Sequence, residues 1–182
     1  EQGLTQAMDS LTNPPDRVTR VVLDVADPDG WDRVTEAIRQ TYGRLDWAVV
    51  NAGIAGGGDI ADLSFEDWRR VLSINLDGAF LTLKAAMKLM RSQDGGGSIV
   101  TVGSAAAIKP EAGAGAYGTS KAGLLQLSKV AAKEGAAHAI RVNTVLPGGV
   151  ETAMWTSQPM FKTLLAETGS ERAAFDRLAA GA

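Results

Sequence analysis

Four short runs of β-forming residues alternate with stretches of helical length, and no other feature of the chain restricts its fold as strongly. The runs are Val18 to Val25, Asp46 to Asn51, Ser98 to Gly103 and Arg141 to Leu146. Between them, Trp31 to Tyr42 reads as a helix, with Asp27-Pro28-Asp29 as its start signal. Phe65 to Arg91 reads as one or two helices, with Ser64 as N-cap, and Ala116 to about Ala137 as another. Strands alternating with helices of this length predict a right-handed, mostly parallel sheet. The fold class expected is therefore α/β. Glu1 to Leu11 reads as the end of a helix, broken by Asn13-Pro14-Pro15.

Composition removes several function classes. At 182 residues, 45% of them hydrophobic and few aromatic, the chain suits one α/β domain over residues 1–182. A net charge of −3 leaves no basic footprint for nucleic acid. There is no cysteine, hence no disulfide and no thiolate chemistry. No apolar run approaches the twenty residues that a membrane helix needs. A cytoplasmic protein is the expectation.

The chemistry-bearing motif is Tyr117-Gly118-Thr119-Ser120-Lys121. Tyr117 and Lys121 are four apart and share one face of a helix. An ammonium beside a phenol favours the phenolate, and such a phenol can exchange a proton with a carbinol oxygen. Ser104 closes an apolar strand-like run and can hydrogen-bond the same oxygen.

Other stretches fall in order around this motif. Asp24-Val25 closes the first run, and Asn51-Ala52-Gly53 follows Trp47-Ala48-Val49-Val50. Asn75-Leu76-Asp77-Gly78 opens a helix, Ser104 precedes Tyr117 by thirteen positions, and Pro147-Gly148-Gly149-Val150-Glu151-Thr152 follows the last strand. Together these resemble the compact, single-domain branch of the short-chain dehydrogenase/reductase family, over about residues 1–160 and most strongly from Asn51 to Thr152.

The resemblance implies a Rossmann-like doubly wound parallel sheet with helices on both faces, and a role for each residue. Tyr117 is the acid/base. Lys121 assists it and holds the nicotinamide ribose, and Ser104 orients the substrate oxygen. Asn75 sits at a helix irregularity and joins Lys121, through water, to a proton relay. Asp24 and Val25 lie against adenine, although Asp24 alone could simply cap a turn before Asp27. Asn51, Ala52 and Gly53 let the backbone approach the cofactor, NAD or NADP. Pro147, Gly148, Val150 and Thr152 border the nicotinamide. Residues 152–182 form a substrate lid in which Met154 and Trp155 touch substrate. Small-molecule alcohols or ketones are the implied partners, with pairing into a homodimer or homotetramer. The apolar runs Ala79, Phe80, Leu83, Met87 and Leu124, Leu127, Val130, Ala131 could serve that pairing or the protein's own core.

Two departures stand out. The family often carries two serines at the end of the strand before Tyr117; here the first is Gly103, a change expected to alter only pocket shape. The family's glycine-rich pyrophosphate turn is also missing from the sequence. Gly113, Gly115 and Gly118 do spell G-x-G-x-x-G, but they do not directly follow a strand, so the context test fails. Gly56 to Gly58 and Gly95 to Gly97 read as loops. In the order 3-2-1-4-5-6 the run Val18 to Val25 would be strand three, roughly 14 Å from strand four at ~4.8 Å per interval. The expectation is that the sequence is incomplete at both ends.

Competing readings remain open. His138 lacks a G-x-S-x-G elbow and reads as a surface residue near a helix end. Asp59, Asp62, Glu66 and Asp67 read as a polar loop and an acidic first helical turn, with no metal implied. Leu83, Met87 and Met90 read as packing. A non-catalytic Rossmann-like module that binds a nucleotide or a protein is one alternative. An extended-branch epimerase or dehydratase, which shares the Tyr/Lys pair, is the other.

Overall fold

The structure is a computed structural model and describes residues 18–156 and 159–180. The predicted start signals operate. Helix α1 (Pro28–Tyr42) opens at Asp27, whose carboxylate accepts the Asp29 N–H at 3.1 Å. Pro28 occupies the first turn, where its missing donor costs nothing. Gly43 ends the helix at φ 72°, donating its N–H to the Arg39 carbonyl. Strand β1 (Trp47–Val50) follows. Helix α2 (Phe65–Leu72) opens at Ser64, whose hydroxyl accepts the Asp67 N–H at 3.0 Å and donates to the Asp67 carboxylate at 2.8 Å. These two bonds satisfy one orphan donor and stiffen the acidic first turn.

A single π-helical turn, Ser73–Asp77, joins α2 to helix α3 (Gly78–Arg91). Strand β2 (Gly97–Val102) leads to a short 3₁₀ turn, Ala105–Ala107, and then helix α4 (Gly115–Gly135). A second 3₁₀ turn, Ala136–His138, precedes strand β3 (Ile140–Val145). His138 is exposed there, as its sequence position predicts.

The three strands pair in the order β1-β2-β3, parallel throughout. Their register puts Ala48, Ile99 and Val142 on one row and Val50, Thr101 and Thr144 on the next. Helices α3 and α4 pack on this face, where Leu83, Met87, Met90, Leu124 and Ala131 close the core. The methionines are therefore packing residues, as read. Most of the two apolar helix runs serves this core, and Phe80 and Val130 are left exposed. On the opposite face of β1, Trp47 is 78% and Val49 65% exposed. The predicted Rossmann-like α/β class holds; helices were expected on both faces, and among the described residues they cover one face of these three strands, leaving Trp47, Val49 and Val145 exposed on the other.

One predicted strand is corrected. Val18 to Val25 forms no strand: Val21 and Val22 are exposed, and a turn at Val25 and Ala26 brings the Asp27 N–H onto the Asp24 carbonyl at 3.0 Å. Its residues have the right propensity, but a strand exists only when a neighbour supplies ladder hydrogen bonds. No strand of the described sheet lies beside this run.

Beyond β3, the described residues form helices α5 (Ala153–Thr156), α6 (Pro159–Thr168) and α7 (Glu171–Ala180). Phe161 and Phe175 meet between α6 and α7 with ring centroids 4.6 Å apart. The helix read over Glu1 to Leu11 lies outside the described residues. Among the described residues, no helix is long and apolar enough to cross a membrane, and no cluster of acidic, histidine or cysteine side chains suits a metal ion.

The glycine run Gly56 to Gly58 is a loop, as read, with a specific task. Gly58 donates its N–H to the Gly113 carbonyl at 2.8 Å, which laces this loop to the segment just before α4. A Cβ on Gly57 would overlap the Gly113 carbonyl oxygen, a backbone atom that cannot swing aside. Gly57→Ala is therefore expected to lose about 1–3 kcal/mol, the usual cost of overpacking. Urea denaturation measures it, and an unchanged midpoint would show that the two loops separate freely.

Candidate active site

Parallel strands bring all their carboxyl ends to one edge, and ligands of such sheets bind outside that edge. Asn51-Ala52-Gly53 follows β1, Gly103-Ser104 follows β2, and Pro147-Gly148 follows β3. These three predicted segments thus lie at the same edge of the sheet.

Lys121 is the electrostatic centre of this edge. It lies on the buried side of α4, 4% exposed, and its ammonium donates to the Val102 carbonyl at 2.9 Å. The same ammonium lies 5.8 Å from the centroid of the Tyr117 ring, so the predicted pair shares a face. Burial pushes the Lys121 ammonium below the ordinary lysine value of 10.5. Between that lowered value and 10.5, the unfolded chain holds a proton that the native protein has released. Stability must therefore rise with pH across this window, and below it the full cost of burying the charge is felt. Lys121→Met is expected to abolish that rise. Melting temperatures of both proteins, followed from neutral pH to about 10.5, should diverge in favour of the wild type as pH increases. Parallel curves would mean that the buried ammonium is not the cause.

Asn75 is fully buried in the π-helical turn. Its Oδ1 accepts the Ile54 N–H at 2.8 Å, and its Nδ2 donates to the Ile54 carbonyl at 3.0 Å and to Ser120 Oγ at 3.1 Å. Ser120 in turn donates to the Tyr117 carbonyl at 2.7 Å. One amide therefore ties the loop after β1 to the first turns of α4. The predicted helix irregularity at Asn75 is present, and in a π turn the i→i+5 pattern displaces the local carbonyls from their usual partners.

Ser104 caps the 3₁₀ turn, its Oγ accepting the Ala106 N–H at 3.2 Å. That turn packs against α4 beside Tyr117: a Cβ on Gly118 would lie 3.3 Å from the Ala106 carbonyl oxygen. The Ala105 N–H donates to the Pro147 carbonyl at 2.8 Å, which fixes the loop after β3 against the loop after β2. Gly103 is buried, and a Cβ there would meet Leu146 Cδ2 at 2.6 Å. The glycine thus leaves room for Leu146, just before Pro147.

The remaining predicted residues are positioned as follows. Asp24 accepts the Ala26 N–H at 2.9 Å and serves the turn before α1. Val25 packs on Gly78, where a Cβ would lie 2.7 Å from Val25 Cγ2. Gly148 and Val150 are exposed, the Val150 N–H donating to the Gly148 carbonyl at 3.0 Å. Thr152 is exposed and its carbonyl accepts the Trp155 N–H at 3.0 Å. Trp155 is half-buried; the side chain of Met154 lies outside the described residues. Sequence reasoning did not single out Ser120, the Ile54 backbone or the Val102 carbonyl. Ser120 had a signal, its place inside the Tyr117/Lys121 motif; the two backbone groups had none.

The residues present fit the nicotinamide-ribose end of a dinucleotide. A Cβ on Gly53 would lie 3.3 Å from Asn75 Oδ1 and 3.4 Å from Lys121 Nζ, so this backbone passes in close contact with both side chains. A hydroxyl-rich sugar suits an ammonium and a phenol at its rim.

Fold and strand order together define a Rossmann-like α/β protein, with Lys121 and Tyr117 side by side on α4. The short chain dehydrogenase family pattern matches residues 1–162, and the chain belongs to that family. It is 40% identical over 159 residues to a 3-oxoacyl-[acyl-carrier-protein] reductase of Thermotoga maritima, covering 87% of this chain and 64% of that protein. It is 33% identical over 141 residues to an NADP-dependent (R)-specific alcohol dehydrogenase of Lentilactobacillus kefiri, covering 76% of this chain and 56% of that protein. Its fold matches NAD⁺-bound xylitol dehydrogenase with a TM-score of 0.76 at 28% identity, covering 88% of this chain and 64% of that one. The chain therefore spans less than two thirds of the length of each of these relatives.

Proposed function

We propose that this chain carries the catalytic centre of an NAD(P)-dependent oxidoreductase that moves a hydride between nicotinamide and a secondary alcohol or ketone. The observation that carries this reading is the buried Lys121 ammonium, held on Val102 beside both the Tyr117 ring and the backbone at Gly53. The nicotinamide supplies or takes the hydride; the protein positions the partners and moves the proton.

In ketone reduction the Tyr117 hydroxyl donates its proton to the developing alkoxide oxygen, and in alcohol oxidation the phenolate takes it back. Ser104 holds the same oxygen, so that two donors face the charge as it develops. Lys121 keeps a positive charge beside the phenol and anchors the ribose hydroxyls. Asn75 holds the loop at Gly53 and the first turns of α4 in mutual register. Asn51, Ala52, Gly53, Pro147, Gly148, Val150 and Thr152 border the cofactor on this reading, Asp24 and Val25 lie toward adenine, and Met154 and Trp155 face the substrate. The same reading makes the protein a dimer or tetramer, with exposed Phe80 on α3 and Val130 on α4 available for contact.

The test is titration with NAD, NADH, NADP and NADPH followed by fluorescence of the four tryptophans, with turnover of a panel of ketones and secondary alcohols. Saturable binding of one nucleotide pair, with nicotinamide absorbance changing only when substrate is present, supports the assignment. Binding without turnover of any substrate would favour a nucleotide-binding module.

A further inference from the structure

A chain of three hydroxyls, two of them on buried residues, lies beneath α4 and takes no part in the chemistry above. Thr101 on β2 is 0% and Ser128 on α4 is 2% exposed. Thr101 Oγ1 lies 2.9 Å from Ser128 Oγ and 2.8 Å from Thr144 Oγ1 on β3. The direction of the bonds follows from counting protons. Each hydroxyl has one to give. Ser128 gives its proton to the Leu124 carbonyl at 2.8 Å, so Thr101 must donate to Ser128, and Thr144 to Thr101. The Asn143 carbonyl, 3.5 Å from Thr101 Oγ1, is too far to compete. The result is a one-way chain, Thr144 to Thr101 to Ser128 to the α4 backbone, crossing two strands and a helix.

Ser128 lies seven residues after Lys121, two helical turns along the same buried face. Thr101 immediately precedes Val102, whose carbonyl holds the Lys121 ammonium. The same helix face is thus pinned to neighbouring residues of one strand at two points. A helix held on a sheet only by Leu124 and Ala131 can slide or roll, because apolar contacts have no direction. Directional bonds at both points fix how far α4 extends along β2.

We propose that Thr101, acting through Ser128, is a positioning residue for Lys121: it sets the register of α4 on the sheet that seats the ammonium on Val102. The inference rests on the proposed role of Lys121 for its catalytic consequence, although the seating itself can be measured without turnover.

The test uses Thr101→Val, which preserves shape and removes the hydroxyl, and Ser128→Ala, which breaks the chain from the helix side. Acylation of Lys121 is followed by mass spectrometry across pH, reading the midpoint at which the free amine appears. The wild-type midpoint is expected below the ordinary lysine value because the ammonium is buried. Both variants are expected to raise it, as the ammonium leaves its buried seat and regains water. Their kcat should fall about 10–100-fold, as expected for a sub-ångström misplacement of a catalytic group. Thr101→Ser should restore both values. Where Thr101→Val does not fold, Ser128→Ala decides alone. Unchanged midpoints and unchanged kcat, with only a lowered melting temperature, would overturn the proposal and leave the hydroxyls as scaffolding. If the wild type turns nothing over, the proposed function fails, and the acylation midpoints still decide whether Thr101 seats Lys121.

Discussion

Tyr117→Phe is expected to lower kcat by about 10²–10⁴-fold, the usual contribution of a positioned general acid or base. The prediction is sharp because the change removes one oxygen and nothing else. The Tyr117 ring is half-buried on the first turns of α4, and its aromatic body remains in the variant. The structural bond in this turn is made by its backbone: the Tyr117 carbonyl accepts from Ser120. The variant should therefore melt with the wild type, and its affinity for nucleotide should change little. Loss of kcat with fold and binding intact would assign the proton transfer to the phenol. Near wild-type turnover would remove Tyr117 from the chemistry and return the site to nucleotide binding alone.

Residues with a local role were the most legible from sequence. Ser64 and Asp27 cap α2 and α1 because their short oxygen-bearing side chains satisfy helix N–H groups within a few residues. The four-residue spacing of Tyr117 and Lys121 likewise became a shared helix face without help from the rest of the fold. The run Val18 to Val25 shows where such reasoning ends. Its β-branched residues are suited to a strand, yet ladder bonds come from a partner that local composition does not report. The Val102 carbonyl was equally hidden: every residue has a carbonyl, and only the packing of α4 on β2 selects this one for the ammonium. Gly56 to Gly58 read correctly as a loop, but their need for glycine lies across space, at Gly113.

Asn75→Leu is expected to damage stability and site together, because Asn75 is where the two are joined. Leucine keeps the branching of the side chain and is somewhat larger, so no cavity opens. It leaves the Ile54 N–H and carbonyl without their side-chain partner and Ser120 Oγ without its donor. Unsatisfied polar groups cost about 1–3 kcal/mol each when water cannot reach them. Ile54 is only partly buried, so water recovers some of this. A net loss of about 2–4 kcal/mol is expected, visible as a fall of roughly 4–16 °C in melting temperature for a chain of this size. The second effect is local. With Ile54 released, the backbone at Gly53 is no longer held against Lys121, and nucleotide affinity should fall as well. Asn75→Asp separates the two effects. Its carboxylate still accepts the Ile54 N–H but cannot donate to the Ile54 carbonyl or to Ser120. It should therefore retain part of the loop's position while the tie to α4 is lost. An Asn75→Leu protein that melts low but binds nucleotide like the wild type would show that the π-helical turn supports the fold alone. A variant that melts and binds like the wild type would show that the amide holds neither.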